Sequence, residues 1–339
     1  MAELKPEGAH QPDLRDLGVF WDVLAGGVLA RCVAAIADLR VADVLGDDGR
    51  TAEELASEVG AHAAMLGRVL RFVAAHGIFS NDDGRFRHNA RSRLLRSDHP
   101  MSVASTMRLM TDAWPLLGAL DHTLRNGRPA AEKAVGGDYW TYLATHSDVA
   151  QRFDEGMSSK ALGQIASLMP IYDFSAFRSV ADVGGGRGHF IKAILGAYPN
   201  ITGVLFDLPQ VIASLAGPPD VRLKLQAGNF FRDDISPCDA FLLMNVLHDW
   251  NDEECVSILR NLRRQATPTT RLLIAEAPLP EVDGPPHPAL MMDVFMMVYA
   301  TGRERKQSEY RTLLDASGWR LDRMVAADGG MAMLESSPV

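Results

Sequence analysis

Apolar positions recur at helical spacing through the first hundred residues of the chain, and the period changes further along. Val28 to Leu45 is an Ala-rich helical pattern. Thr51-Ala-Glu-Glu54 has the spacing of a capping box, with the Thr51 hydroxyl facing the third helical N–H and Glu54 reaching back. A short helix to Val59 follows, then a longer one from about Ala63 to Ala75, which Gly77 should stop. Ile78-Phe-Ser80, Asn81-Asp-Asp-Gly84 and Arg85-Phe-Arg87 read as strand, turn and strand, with Asp83-Gly84 making the turn. Two helices followed by a small hairpin predict a winged helix.

Residues 101 to 172 are helical and carry Met107, Met110, Trp114, Tyr139, Trp140, Phe153 and Met157. Most of these suit a core, and a few suit the wall of a pocket for a flat apolar ligand. From 173 onward, strand and helix patterns alternate. Strands are expected at Ser179–Val183, Ile201–Asp207, Val221–Ala227, Ala240–Asn245, Arg271–Ala277, Trp319–Ala326 and Met331–Ser336. The Pro-rich stretch from Pro278 to Pro288 is a loop leaving the fifth strand. The predicted fold class is α/β, a doubly wound Rossmann-like domain ending in an antiparallel pair. The expected division is 14–100 (winged helix), 101–172 (helical linker and pocket wall) and 173–339 (catalytic domain).

Composition narrows the function. The net charge is −9, which argues against a general binder of polyanions. Arg85, Arg87, Arg91, Arg93 and Arg96 cluster in and after the hairpin and invite a DNA-binding reading. The helix at 63–75 offers only Arg68 and Arg71, however, so a scaffold reused without nucleic acid fits better. No segment reaches the ~20 uninterrupted apolar residues of a membrane span. The beginning, MAELKPEGAHQPDLRD, is polar and unlike a secretory signal. Three cysteines, Cys32, Cys238 and Cys255, are odd in number and lack metal-type spacing, which suits a reducing cytoplasm. No membrane, metal or nucleic-acid partner is expected.

The chemistry gathers at the strand ends. Asp182 precedes a turn with Gly184, Gly185, Gly186 and Gly188 between an apolar run and a helical pattern. Glycine there lets a ligand approach the backbone. Asp207 ends the second strand, 23 residues after Gly184, where a carboxylate can accept from both hydroxyls of a ribose. It can also cap the helix opened by Leu208 and Pro209. Asn229 and Phe230 follow the third strand, Asn245 ends the fourth with His248 just beyond, and Glu276 lies near the end of the fifth. Parallel strands bring these positions to one edge. The G-x-G-x-G spacing is tighter than that of dinucleotide enzymes and fits a nucleoside without phosphate, such as S-adenosylmethionine. His248 can serve as a general base near neutral pH. Either Glu276 or Glu304 could fix its tautomer, and Arg303 or Arg305 could instead pair with Glu304.

Together these residues resemble the S-adenosylmethionine-dependent O-methyltransferases of the caffeate and hydroxyindole type and their bacterial relatives. The resemblance spans nearly the whole chain, through Phe153-Asp-Glu-Gly-Met157, Asp182-Val-Gly-Gly-Gly-Arg-Gly188, Phe206-Asp-Leu-Pro209, Gly228-Asn-Phe-Phe231, Leu247-His-Asp-Trp250 and Gly302-Arg-Glu-Arg305. It implies cofactor contacts from Gly184, Asp207, Asn229, Phe230 and Asn245, with Trp250 near the adenine; Asp182, Gly186 and Leu208 join that candidate set. It implies that His248 is the base, flanked by Glu276 and Glu304. Phe153, Met157, Met292, Phe295, Met296 and Tyr299 would hold a small aromatic acceptor. It also implies a homodimer joined through the N-terminal helices.

Four positions depart from the family. Asn229 stands where an acid is usual. Met244 stands where plant members carry a Lys, which removes one polar cofactor contact of theirs; Lys160 and Tyr299 replace a pocket His and a pocket Asn of plant members, which points away from a phenylpropanoid acceptor. The expected reaction is direct displacement at the sulfonium methyl by a hydroxyl that His248 deprotonates. N-methylation of a heteroaromatic stays open, as does a non-methylating enzyme on the same fold. A nicotinamide oxidoreductase and a DNA-binding regulator are more distant readings.

Overall fold

A computed structural model describes residues 14–215, 220–282 and 284–339. The opening segment on which the secretory-signal reading rests lies almost wholly outside them. The chain forms two compact units, divided between Asp112 and Ala113.

The first unit contains α1 (Leu14–Asp38), α2 (Val41–Val44), β1 (Arg50–Thr51), α3 (Ala52–Val59), α4 (Ala63–Ala75), β2 (Ser80–Asp82), β3 (Arg85–Arg87), α5 (Ala90–Arg93) and the start of α6 (Ala104–Leu117). The capping box forms as read: the Glu54 N–H donates to Thr51 Oγ1 at 3.3 Å and the Thr51 N–H to Glu54 Oε2 at 2.8 Å. The hairpin turns at Asp83 and Gly84, both at positive φ, and β1 adds a third strand in the order β1-β3-β2. Leu55, Leu70, Phe79 and Phe86 fill the core between helices and hairpin.

The first helix differs from expectation in its bounds. The helix read from Val28 to Leu45 starts at Leu14 and breaks after Asp38, because Arg40 adopts a left-handed φ of 53°. Its stretch Leu17–Asp38 is also long and apolar enough, by length and composition alone, to cross a membrane. Asp22 and Arg31 interrupt the apolar run, and a criterion of uninterrupted residues therefore passes over it.

The second unit begins inside α6 and continues through α7 (Leu120–Asn126), α8 (Ala130–Ala134), α9 (Tyr139–Thr145) and α10 (Ser147–Leu168). It then alternates: β4 (Ser179–Val183), α11 (His189–Ala197), β5 (Thr202–Asp207), α12 (Pro209–Ala213), β6 (Leu223–Ala227), β7 (Ala240–Met244), α13 (Asp252–Gln265), β8 (Arg271–Glu276), α14 (Pro288–Tyr299), α15 (Gln307–Ala316), β9 (Trp319–Ala326) and β10 (Ala332–Pro338). The seven strands lie in the order β6-β5-β4-β7-β8-β10-β9, with β10 antiparallel to both neighbours. Of the five parallel strands, the inner β7 and β8 read as nearly unbroken apolar runs and are buried almost throughout, whereas β6 at the edge mixes Lys224 and Gln226 with its apolar residues and is largely exposed. Residues 240–243 and 272–275 are almost wholly withdrawn from solvent. Each such Leu or Ile side chain stabilises the fold by about 1.5–3 kcal/mol.

Register places the candidate chemistry. Val183 pairs with Phe206, Asp207 with Ala227, and Met244 with Ala275. The residues that follow, Gly184, Gly228, Asn245 and Glu276, therefore share the carboxyl edge with Asp207.

Candidate active site

The glycine turn folds over the end of β4. Gly184 has φ 71°, and its N–H donates to the Phe206 carbonyl at 2.8 Å. An added Cβ there would sit 3.1 Å from Val246 Cγ2, so only glycine leaves the turn undisturbed. Gly186, at φ 57°, donates its N–H to Asp207 Oδ2 at 2.8 Å, and the Leu208 N–H donates to Asp207 Oδ1 at 2.7 Å. Each Asp207 oxygen keeps a lone pair for a sugar hydroxyl. Asp182 is buried beneath the turn, where its Oδ2 accepts from the Ile191 N–H at 3.3 Å. Burial, opposed by that bond and assisted by Asp207, pushes its pKa to about 7. Its place is under the turn, supporting it, rather than on the rim.

An aromatic corner flanks the turn. Phe230 reaches the open face of Gly184 and packs edge-on against Trp250 at 6.0 Å, while Phe231 meets Trp250 at 4.9 Å. Asn229 donates its backbone N–H to Asp233 Oδ2 at 2.8 Å and accepts from the Phe231 N–H at 2.9 Å. Asn245 adopts a left-handed φ of 52°, which Asn tolerates better than most residues, and this ends β7 one residue earlier than read. Its Nδ2 donates to Gln164 Oε1 at 2.7 Å, and Gln164 Nε2 lies 3.1 Å from Met331 Sδ. The sequence reading did not find Gln164.

His248 sits on a 3-10 turn, Leu247–Asp249, just past β7, and is buried. Its Nδ1 lies 2.9 Å from Glu304 Oε1 and 3.6 Å from Glu276 Oε2; its Nε2 lies 3.6 Å from Asp249 Oδ1. The two glutamates, both buried, have different partners. Glu276 Oε1 accepts the N–H groups of Val246 at 3.1 Å and Leu247 at 2.9 Å. Glu304 is steadied by Asp293, whose Oδ1 accepts the Glu304 N–H at 2.9 Å. Glu276 Oε2 and Glu304 Oε2 have no hydrogen-bond partner among the described residues. Burial alone would lower the His248 pKa, but the charges of Glu276, Asp249 and Glu304 outweigh it and carry it to about 9. Burial and the neighbouring acids push Glu276 upward. The sequence reading finds no metal-ligand cluster. The ligand atoms of His248, Glu276 and Glu304, within 4.8 Å of one another, are the nearest approach to one among the described residues.

Arg305 holds this turn from behind. It is fully buried, and its guanidinium donates to the carbonyls of Leu247 at 2.8 Å and Trp250 at 2.7 Å, bracketing His248. It also pairs with Asp252 at 2.8 Å, while Arg303 pairs with Glu309 and Asp252. Neither arginine pairs with Glu304, so the salt-bridge reading of that residue gives way to the contact with His248.

The candidate acceptor residues form a wall. Phe153 on α10 meets Tyr299 of α14 at 6.4 Å, Tyr139 at 5.9 Å and Trp140 at 5.8 Å. Phe295 stacks on Tyr299 at 6.2 Å. Met157 and Met292 are partly exposed on the same two helices, whereas Met296 is largely buried.

Two family descriptions match this chain: an O-methyltransferase dimerisation domain over residues 21–98 and an O-methyltransferase domain over residues 117–320. The phenazine O-methyltransferase of Lysobacter antibioticus is 32% identical over 332 residues, covering 95% of this chain and 96% of the relative. An 8-amino-8-demethylriboflavin N,N-dimethyltransferase of Streptomyces davaonensis is 30% identical, covering 98% of each chain. Among solved structures, a methyltransferase of calicheamicin biosynthesis in its SAH-bound form superposes with a TM-score of 0.88 at 34% identity, covering 97% of this chain and 100% of the other. The Asp207 lone pairs and the Cβ-free turn suit the adenosyl group of that ligand. The chain belongs to the S-adenosylmethionine-dependent O-methyltransferases.

Proposed function

We propose that this enzyme methylates a hydroxyl of a small aromatic acceptor, with His248 as the general base and Glu304 as the group that orients it. The observation that carries this reading is the 2.9 Å contact between His248 Nδ1 and Glu304 Oε1. With Nδ1 held by the carboxylate, Nε2 is the nitrogen left to take a proton from the acceptor. S-adenosylmethionine, when bound, supplies an electrophilic methyl on a sulfonium. The chain's part is to set the acceptor oxygen against it, accept the proton at Nε2 and keep water away. A phenol titrates near ~10, so a base near 9 is mismatched by about 1.4 kcal/mol instead of the ~5 kcal/mol of an ordinary imidazole. The Gly184 turn, Asp207, Asn229, Phe230, Asn245 and Trp250 would hold the cofactor. The wall around Phe153, Met157, Phe295 and Tyr299 would hold the ring. We infer further that the enzyme works as a cytoplasmic homodimer joined through its N-terminal domain.

The test is His248→Ala. Donor affinity, measured by calorimetry, should stay within a few-fold, while turnover on a phenolic acceptor should fall by about 10²–10⁴-fold. Wild-type turnover in that variant would remove His248 as the base. A second reading, N-methylation, has one specific support, the N,N-dimethylating relative. A neutral amine needs no base before attack, so turnover of an arylamine by the same variant at nearly the wild-type rate would favour it.

A further inference from the structure

Phe153, Met157, Lys160 and Gln164 are spaced by four, three and four residues along α10 and so lie on one face. Both ends of that face are pinned. Phe153 packs in the aromatic wall with Tyr299, and Gln164 is bonded to Asn245 at the end of β7. Lys160 lies between them on that face, and the charges of Glu304, Asp249 and Glu276 reach it. Burial draws its pKa below the ordinary lysine range, although the side chain as a whole keeps some surface. Among the described residues no hydrogen bond or ion pair joins this amine. A withdrawn lysine without a partner is exceptional, since such groups are usually paired.

We propose that Lys160 binds a carboxylate on the acceptor, next to the hydroxyl that is methylated, so that the preferred acceptors are aromatic hydroxy acids. This rests on the methyl-transfer reading above and adds the acceptor's second functional group. Three carboxylates, those of Glu304, Glu276 and Asp249, surround the base. They would repel an acidic acceptor unless a cation met it, and Lys160, on the α10 face that carries Phe153 and Met157, offers a compact point charge. The aromatic wall takes the ring, His248 faces the hydroxyl, and Lys160 takes the acid. An acceptor without the acid leaves the amine unpaired, which is the arrangement that discriminates best between similar ligands.

The test compares 1-hydroxy-2-naphthoate with 1-naphthol, using binding to the full-length enzyme loaded with S-adenosylhomocysteine. Wild type should bind the acid about 10- to 100-fold more tightly, the range of a charged hydrogen bond. Lys160→Met should abolish that preference and Lys160→Arg should restore most of it. The affinity of each variant for S-adenosylhomocysteine reports whether it is folded. Equal binding of the two compounds by wild type, or a preference that survives Lys160→Met, overturns the proposal. Turnover by the same variants, supplied with S-adenosylmethionine in place of S-adenosylhomocysteine, tests the underlying reading separately: a preference for the acid without methyl transfer would support the subsite and defeat the reaction.

Discussion

With His248 as the proposed base, the proton balance around its ring predicts how the reaction depends on pH. Only the neutral ring can accept a proton, and a pKa of about 9 leaves it almost fully protonated near neutrality in the ligand-free site. A sulfonium bound nearby adds positive charge, which lowers that pKa. With an acceptor that does not itself titrate in this range, kcat/KM for the methyl donor should therefore rise about tenfold per pH unit up to a limb near 9. The limb in kcat, which reports the loaded enzyme, should lie lower. Glu304→Gln removes a negative charge and a hydrogen bond from Nδ1, so both limbs should shift to lower pH while turnover falls by about 10–10²-fold. Limbs that stay in place would show that Glu304 does not act on the ring. His248, Glu276, Glu304 and Asp207 were all legible in the sequence, because each stands where an apolar strand ends or a short motif begins. Gln164, Asp293 and Arg305 were not legible in these roles. Their partners lie 81, 11 and 58 residues away, and nothing in their local pattern points there.

At the level of elements, the loop before Glu304 presses directly on the turn that carries His248. A Cβ added at Gly302 would overlap the His248 carbonyl oxygen and stand 2.8 Å from Asp249 Cα, both backbone atoms that cannot swing aside. Gly302→Ala should thus displace the turn that carries His248, lowering turnover by about 10²-fold or more and stability by about 1–3 kcal/mol. Donor affinity should fall by no more than about tenfold: Trp250 follows the displaced turn, whereas the glycine turn after β4 and Asp207 lie on other loops. Full turnover in this variant, with unfolding temperature unchanged, would show that the two loops do not constrain each other. The sheet itself was readable almost to the residue. Ser179–Val183 and Trp319–Ala326 match the expected strands: the first is an almost wholly buried run ending at a glycine turn, the second starts after Gly318 with Trp319 and Leu321 buried on alternate positions. Two of the boundaries that differ have backbone causes: Asn245 turns left-handed after β7, and Arg40 does the same after α1; β6 starts at Leu223 rather than Val221, and β10 runs on to Pro338. The beginning of α1 escaped notice because Gly18, Gly26 and Gly27 dilute its helical signal.

For the molecule as a whole, the decisive feature is how α1 is presented. Phe20 and Trp21 are about two-thirds exposed, at 68% and 71%, and Leu17, Val23, Leu24 and Val28 accompany them. Apolar surface this dense on one helix exceeds what single chains leave in water. Most of that helix lies within the span matched by the dimerisation domain, which supports the homodimer proposed above. A stable pairing needs about 800 Å² per partner, which a helix of 25 residues lined with large side chains can contribute in good part. Sedimentation at micromolar concentration should give twice the mass of one chain. The double variant Phe20→Asp and Leu24→Asp should shift the mass toward one chain and make the unfolding temperature independent of protein concentration. Because both side chains face solvent within the single chain, the substitutions should leave its intrinsic stability within about 0.5 kcal/mol, so loss of pairing would not reflect unfolding. A wild-type chain that sediments as one copy would leave α1 uncovered, and flotation with lipid vesicles would then become the measurement that decides its role.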